Sequence, residues 1–190
     1  IGEGNAIEAV ITGLANLEYR GYDSAGIAVK NGAGLKVYKR RGKISDIEQL
    51  IRDEMPSAEI GIGHTRWSTH GPPTDENAHP HTDCTGRVAV VHNGIIENHA
   101  ELRTRLRDRG HEFKSETDTE VVPHLIEEYL PQVDGDAEAA FRLAIRELEG
   151  SYALAMIVAD TEEIYAARSG SPLVIGVDGE QRFLASDVTA

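Results

Sequence analysis

The C-terminal run of apolar segments constrains the fold most. "SYALAMIVAD" (151–160), "EIYAARS" (163–169), "PLVIGV" (172–177) and "RFLAS" (182–186) lie only a few residues apart, and Asp178-Gly179 turns the last pair. A parallel strand pair needs a crossover of about a dozen residues or more. These gaps are too short for one, so neighbouring strands must run antiparallel. The same logic pairs "GIAVK" (26–30) with "LKVYK" (35–39) around "NGAG". "EIGIGHT" (59–65) and "RVAVVH" (87–92) read as two further strands.

Helices come between the strands in blocks. Asn5 and Glu8 form a capping-box pair ahead of Ile7, Val10, Ile11, Leu14 and Leu17 at helical spacing. Ser45 with Glu48 opens a second helix that buries Ile47, Leu50 and Ile51. Asn98 with Glu101 opens a third, through Leu102 and Leu106 to Gly110. Thr117 with Glu120 opens a fourth that buries Val121, Val122, Leu125, Ile126 and Tyr129. A fifth runs through Phe141, Ile145 and Leu148 to a stop at Gly150. Antiparallel strands with blocks of helices predict an α+β domain, sheets packed together and helices outside. No linker or repeat divides residues 1–190. The chain ends on "ASDVTA" without a helix stop or charged tail, as a piece of a larger protein would.

Composition removes several function classes. The formal net charge is −13, which disfavours a nucleic-acid partner. The longest apolar run, Tyr152 to Val158, falls far short of the ~20 residues that span a bilayer. A single cysteine, Cys84, excludes an internal disulfide and fits a reducing cytoplasm. The basic residues are 14 Arg and 5 Lys, a balance open to two readings: a salt-adapted surface or an ordinary acidic cytoplasmic protein.

Between the third and fourth sheet segments lies an aperiodic stretch, residues 66–87, rich in Pro, His, Gly and Thr. Loops this long inside a compact domain are usually functional or disordered. It overlaps "GHTRWSTHG" (63–71), which admits three chemistries. His64, His70, His79, His81 and Cys84 suggest metal, but no CxxC or HExxH is present, so backbone-bonded loop histidines are favoured. Cys84 as nucleophile has no evident base or helix N-terminus beside it in the sequence. A ligand grip fits best. Arg66 can hold a carboxylate bidentately, and Asp118, placed in the first turn of the fourth helix, can accept an ammonium. Asn93 and Gly94 in "HNG" offer two neutral donors side by side, as an oxyanion hole does, or form a plain Asn-Gly turn.

Six blocks, "LEYRGYDSAGIAV", "GHTRWSTHG", "NAHPH", "VVHNGIIEN", "SETDTEV" and "RSGSPLVIG", occur in order along nearly the whole chain. Together they resemble the glutaminase domain of the glucosamine-6-phosphate synthase family of class II glutamine amidotransferases. The resemblance implies an N-terminal-nucleophile hydrolase fold, a four-layer α-β-β-α sandwich. It implies hydrolysis of L-glutamine to glutamate and ammonia by an N-terminal cysteine whose own α-amine is the base. Arg66 then holds the α-carboxylate, Asp118 the α-ammonium, and Asn93 with Gly94 the oxyanion. Thr69 and His70 line the pocket, Trp67 caps it, and Arg20, Gly21 and Asp23 support the cysteine end. No metal and no cofactor are implied.

The family opens on "CGI-G" where this chain reads "IGEGNA", so residues 1–190 are expected to be a glutaminase domain without its nucleophile and inactive alone. The attacking residue is expected just before Ile1. The sugar isomerase domains that take fructose 6-phosphate, and the homodimer they imply, lie outside the sequence. Three alternatives remain: a glutamine-binding module without chemistry, a metal-dependent amidase using the histidines, and another class II amidotransferase.

Overall fold

The computed structural model describes residues 1, 5–32, 34–52, 54, 57–68 and 70–190. Helix α1 (Ala6–Asn16) starts where expected, with the Asn5 side chain accepting the Ile7 N–H at 3.2 Å. Strands β1 (Ser24–Asn31), β2 (Gly34–Arg41) and β3 (Ile60–Arg66) form one sheet in the order β2-β1-β3. Helix α2 (Ile44–Arg52) lies between β2 and β3 in sequence. A second sheet takes β4 (His81–Thr82), β5 (Val88–Ile96), β6 (Gly150–Val158) and β7 (Ile164–Ser169) in that order. Helices α3 (His99–Asp108), α4 (Val121–Tyr129) and α5 (Ala137–Arg146) separate β5 from β6. Strands β8 (Val174–Asp178) and β9 (Gln181–Ala185) pair as a separate hairpin. Every described strand pair is antiparallel.

Period-two alternation explains the layers. In β1, Ala25, Ile27 and Val29 face α1 and α2, while Ala28 turns to the other sheet. In β5, Val88 and Val90 face the α3–α5 layer, while Ala89 and Val91 turn inward. Ala28, Ile60 and Ile62 of the first sheet therefore meet Ala89, Val91 and Ile157 of the second. The result is the α-β-β-α sandwich of the N-terminal-nucleophile hydrolases. Helix α1 approaches β3 closely because β3 carries glycine on that side: a Cβ on Gly63 would lie 2.4 Å from Val10 Cγ1.

Three expected caps are not caps. Helix α2 begins at Ile44, and the Asp46 carboxylate takes the Lys43 N–H at 2.9 Å. Asn98 makes no capping bond; its amide donates to Glu147 O and accepts the Glu149 N–H, tying α3 to the α5–β6 junction. Helix α4 starts at Val121, and Glu120 reaches backward to the Lys114 and Ser115 N–H groups, both at 2.8 Å. A distant junction takes the Asn98 amide and the preceding loop takes Glu120, while the Asp46 bond stays local to the start of α2. Among the described residues no helix is long and apolar enough to cross a membrane.

Candidate active site

A cavity of about 900 Å³ opens between α1, the ends of β3 and β5, and the β8–β9 hairpin. Arg20, Gly21, Arg66, Trp67, Asn93, Gly94 and Asp118 all line it. His70 does not, and instead sets its ring edgewise on His99 with centroids 5.2 Å apart. Asp23 sits behind the wall, where its carboxylate accepts the Ser68 N–H at 2.6 Å and so anchors the loop after β3. Thr69 lies outside the described residues.

Strand β3 delivers the first half of the site. Ile62, His64 and Arg66 share one face by alternation. Arg66 is 4% exposed, and its guanidinium donates to Ser68 Oγ at 3.0 Å and to the carbonyls of His70 and Gly71. Trp67 follows on the rim, 69% exposed, and packs so near Gly21 that a Cβ there would lie 3.1 Å from its ring. Arg20 is drawn toward the C-terminal segment, pairing with Asp187 and Ser186.

Strand β5 delivers the second half, and here the plain-turn reading of Asn93-Gly94 fails. Both residues lie inside β5, paired with Ala153 and Tyr152 of β6. Gly94 has φ +127°, a conformation an L side chain rarely adopts. Asn93 Oδ1 meets His64 Nε2 at 2.8 Å. Burial pushes the His64 imidazole down to about 4, with the Asn93 bond opposing, so the ring is neutral. A neutral ring must donate from Nε2 to that oxygen, which leaves the Asn93 NH₂ end for a ligand. His64 is a positioning residue, which the sequence offered only as a metal ligand or a backbone-bonded loop histidine. Its place two residues before Arg66 on a strand was the available signal.

Asp118 stands three residues before α4, outside its first turn, so the helix-end argument for its charge does not hold. The 115–120 loop fixes it instead. Asp118 Oδ2 accepts the Ile96 N–H at 2.8 Å, and Arg103 donates to the carbonyls of Ser115 and Thr117 at 2.7 and 2.5 Å. Behind Asp118 the histidines form a buried polar layer. His79 Nδ1 accepts the His92 N–H at 3.3 Å, so His79 donates from Nε2 to Thr119 Oγ1, and Thr119 meets His92 Nδ1 at 2.8 Å. His81 Nε2 meets Thr117 Oγ1 at 3.1 Å. His64 and His79 stack at 4.3 Å. These contacts are to side chains and rings more than to the loop backbone.

Burial lowers the pKa of His64, His79, His81 and His92 from the ordinary 6.5. The unfolded chain therefore binds protons at a pH where the folded chain does not. Stability from these groups is complete above about 6.5 and declines as pH falls toward 4, by about 1.4 kcal/mol for each tenfold loss of proton affinity on folding. Glu120 adds a lower window. Burial opposes its ionisation, but His124 and the bonds from Lys114 and Ser115 outweigh that and hold it at about 2, so stability falls again below about 4.5. Urea midpoints measured from pH 8 to pH 3 at fixed ionic strength should show this steep acid limb. A flat profile between pH 7 and 4 would contradict the neutral-histidine layer.

Comparison with known proteins shows the family and the fold. The model of the family described as "Glutamine amidotransferase domain" matches residues 64–190. The glutamine–fructose-6-phosphate aminotransferase [isomerizing] of Thermus thermophilus is 53% identical over 190 residues, covering 100% of this chain and 31% of that protein. The protein of the same name from Streptomyces coelicolor is 54% identical over 193 residues, again covering 100% of this chain and 31% of that protein. The chain thus spans about a third of the length of these curated relatives. The solved glutamine phosphoribosylpyrophosphate amidotransferase of B. subtilis, complexed with ADP and GMP, superposes with a TM-score of 0.81 at 30% identity, covering 97% of this chain and 40% of that one. A class-II glutamine aminotransferase domain protein from Silicibacter pomeroyi, at 18% identity and TM-score 0.61, shares the fold and covers 85% of this chain and 79% of that one. With the family model matching well over half of its residues, this chain belongs to the glutamine amidotransferase domain family.

Proposed function

We propose that residues 1–190 are the type 2 glutaminase domain of an isomerizing glutamine–fructose-6-phosphate aminotransferase. The observation that carries this is the meeting of Arg66, Asn93, Gly94 and Asp118 in one cavity. A bidentate guanidinium suits the α-carboxylate of L-glutamine, and Asp118 suits its α-ammonium. The side-chain carboxamide then reaches the Asn93 amide and Gly94 N–H, two donors aimed where negative charge develops during acyl transfer. Attack by a thiol on that carbonyl releases ammonia and leaves a thioester, which water converts to glutamate. Residues 1–190 supply the grip and the oxyanion donors. Their only cysteine, Cys84, is not on the cavity wall. The attacking thiol belongs to an N-terminal cysteine of the complete protein, with its α-amine as base.

Thr69 belongs to the same glutamine loop. Asp23 and Gly21 hold that loop from behind, and Arg20 supports the cysteine end, pairing with Ser186 and Asp187. Trp67 covers the site on the side from which ammonia passes to fructose 6-phosphate. That sugar is bound by sugar isomerase domains of the same polypeptide, in a cytoplasmic homodimer. The reading is supported by end-to-end similarity to relatives of that name.

Calorimetric titration of L-glutamine into the purified chain tests the grip without requiring chemistry. One site is expected. Asp118→Asn, and a ligand lacking the α-ammonium, should each weaken binding about tenfold to a hundredfold, the range for a charged hydrogen bond. Residues 1–190 alone should bind glutamine and release no glutamate. Equal affinity for the deaminated ligand would remove Asp118 from the site, and sustained glutamate release would overturn the assignment of the attacking group.

A further inference from the structure

The structure holds a second cluster of reactive side chains, away from the cavity wall. Cys84 lies in the turn between β4 and β5, His111 follows α3, and His124 and Glu127 share one face of α4 at i, i+3. Cys84 has no base near it in the sequence; the fold supplies two. Cys84 Sγ is 3.8 Å from His111 Nδ1 and 3.6 Å from His124 Nδ1. Glu127 Oε2 is 2.9 Å from His111 Nδ1 and 3.2 Å from His124 Nδ1. All four donor atoms lie within 4.8 Å of one another.

We propose that Cys84, His111, His124 and Glu127 form a structural zinc site. Zinc takes thiolate at about 2.3 Å and imidazole or carboxylate at about 2.0–2.2 Å, in a tetrahedron. Its edges are then about 3.6 Å between sulfur and nitrogen and about 3.3 Å between nitrogen and oxygen. The measured separations of 3.6, 3.8, 2.9 and 3.2 Å lie close to those edges. The remaining pairs lie within 4.8 Å, and any wider than a tetrahedral edge must close for the four atoms to bind one ion.

The surroundings of His111 favour a metal site over a network of neutral rings. His111 Nε2 faces Glu128 Oε2 at 3.1 Å, and His124 Nε2 faces Glu120 Oε1 at 3.9 Å. On His111 that carboxylate fixes the proton at Nε2 and turns the Nδ1 lone pair inward, as at known zinc centres, whereas His124 Nε2 makes no hydrogen bond at its longer distance. If a neutral His111 ring instead donated from Nδ1 to Glu127, its Nε2 lone pair would point at the Glu128 carboxylate. The sulfur is also oriented: the Glu112 N–H donates to Cys84 Sγ at 3.4 Å. One thiolate and one carboxylate neutralise Zn²⁺, and the thiol proton passes to solvent on binding. The ion would join three segments: the β4–β5 turn, the stretch after α3, and α4.

The test uses the purified protein, kept reduced, stripped by a chelator and titrated with Zn²⁺ alone against a chromophoric competitor. One tight equivalent is expected, with a rise in Tm. Cobalt(II) in its place should give thiolate-to-metal charge-transfer absorption. Cys84→Ala removes an exposed side chain and should fold, yet lose both the equivalent and that absorption. Glu128→Gln leaves all four ligands in place and should weaken zinc about tenfold to a hundredfold by releasing His111. Equal zinc uptake by Cys84→Ala and the unaltered protein would overturn the proposal. So would several weak equivalents, or cobalt spectra without the thiolate band.

Discussion

Arg66→Ala should raise the KM for glutamine roughly thirtyfold to five-thousandfold, the range of about 2–5 kcal/mol for truncating one partner of a buried charge pair. The effect should fall on KM and spare kcat. The α-carboxylate does not change as the amide reacts, so its clamp is equally strong before and during the chemical step. Arg66 also binds Ser68 Oγ and the carbonyls of His70 and Gly71, so the truncation loosens its own loop. Two controls separate these effects. Ser68→Ala removes one loop bond and should change KM by no more than about threefold. Arg66→Lys keeps the charge, loses the fork and should lie between Ala and the parent. Steady-state glutaminase kinetics of the complete protein supply the measurement. An unchanged KM, or a loss confined to kcat, would remove the carboxylate clamp from Arg66.

The layers of this fold were legible because antiparallel strands come with helices in separate blocks, and such a chain buries both by packing sheets together with helices outside. The antiparallel order followed from turns too short for crossovers. What stayed hidden depends on partners far away in sequence. Asn98 and Thr117 look like helix caps, but the Asn98 amide serves Glu147 and Glu149, and Thr117 bonds Ser115 and His81. Asn93-Gly94 looks like a hairpin turn, but it is held inside a nine-residue strand by the β6 register. The histidines of residues 64–81 looked like one group, but they divide. His64 orients Asn93, His79 and His81 build the polar layer behind Asp118, and His70 turns aside to His99. Cys84 meets His111 and His124 only because α4 crosses the β4–β5 turn. No spacing rule brings those three together.

Gly94→Ala should reduce glutamine hydrolysis by at least about a hundredfold, the cost of losing one oxyanion donor. Two constraints act on the same atom. At φ +127° an alanine is strained, by about 1–3 kcal/mol. Its Cβ would also lie 2.0 Å from Ser151 O and 2.8 Å from Ser151 C, atoms of the neighbouring strand's backbone that no side-chain rotation can clear. β5 must therefore move off β6 at the Gly94–Tyr152 pair, carrying the Asn93 amide with it. Overpacking of this kind costs about 1–3 kcal/mol more. Gly176→Ala is the matched control: it sits in β8 without positive φ, and its Cβ would meet Phe183 Cβ at an ordinary 3.5 Å. That variant should keep both activity and urea midpoint. If Gly94→Ala folds and still binds glutamine while hydrolysis collapses, the backbone N–H at this position acts on the developing charge. If binding collapses equally, the displaced strand has taken the whole pocket with it. Near-normal turnover by a folded Gly94→Ala would mean the oxyanion is held elsewhere.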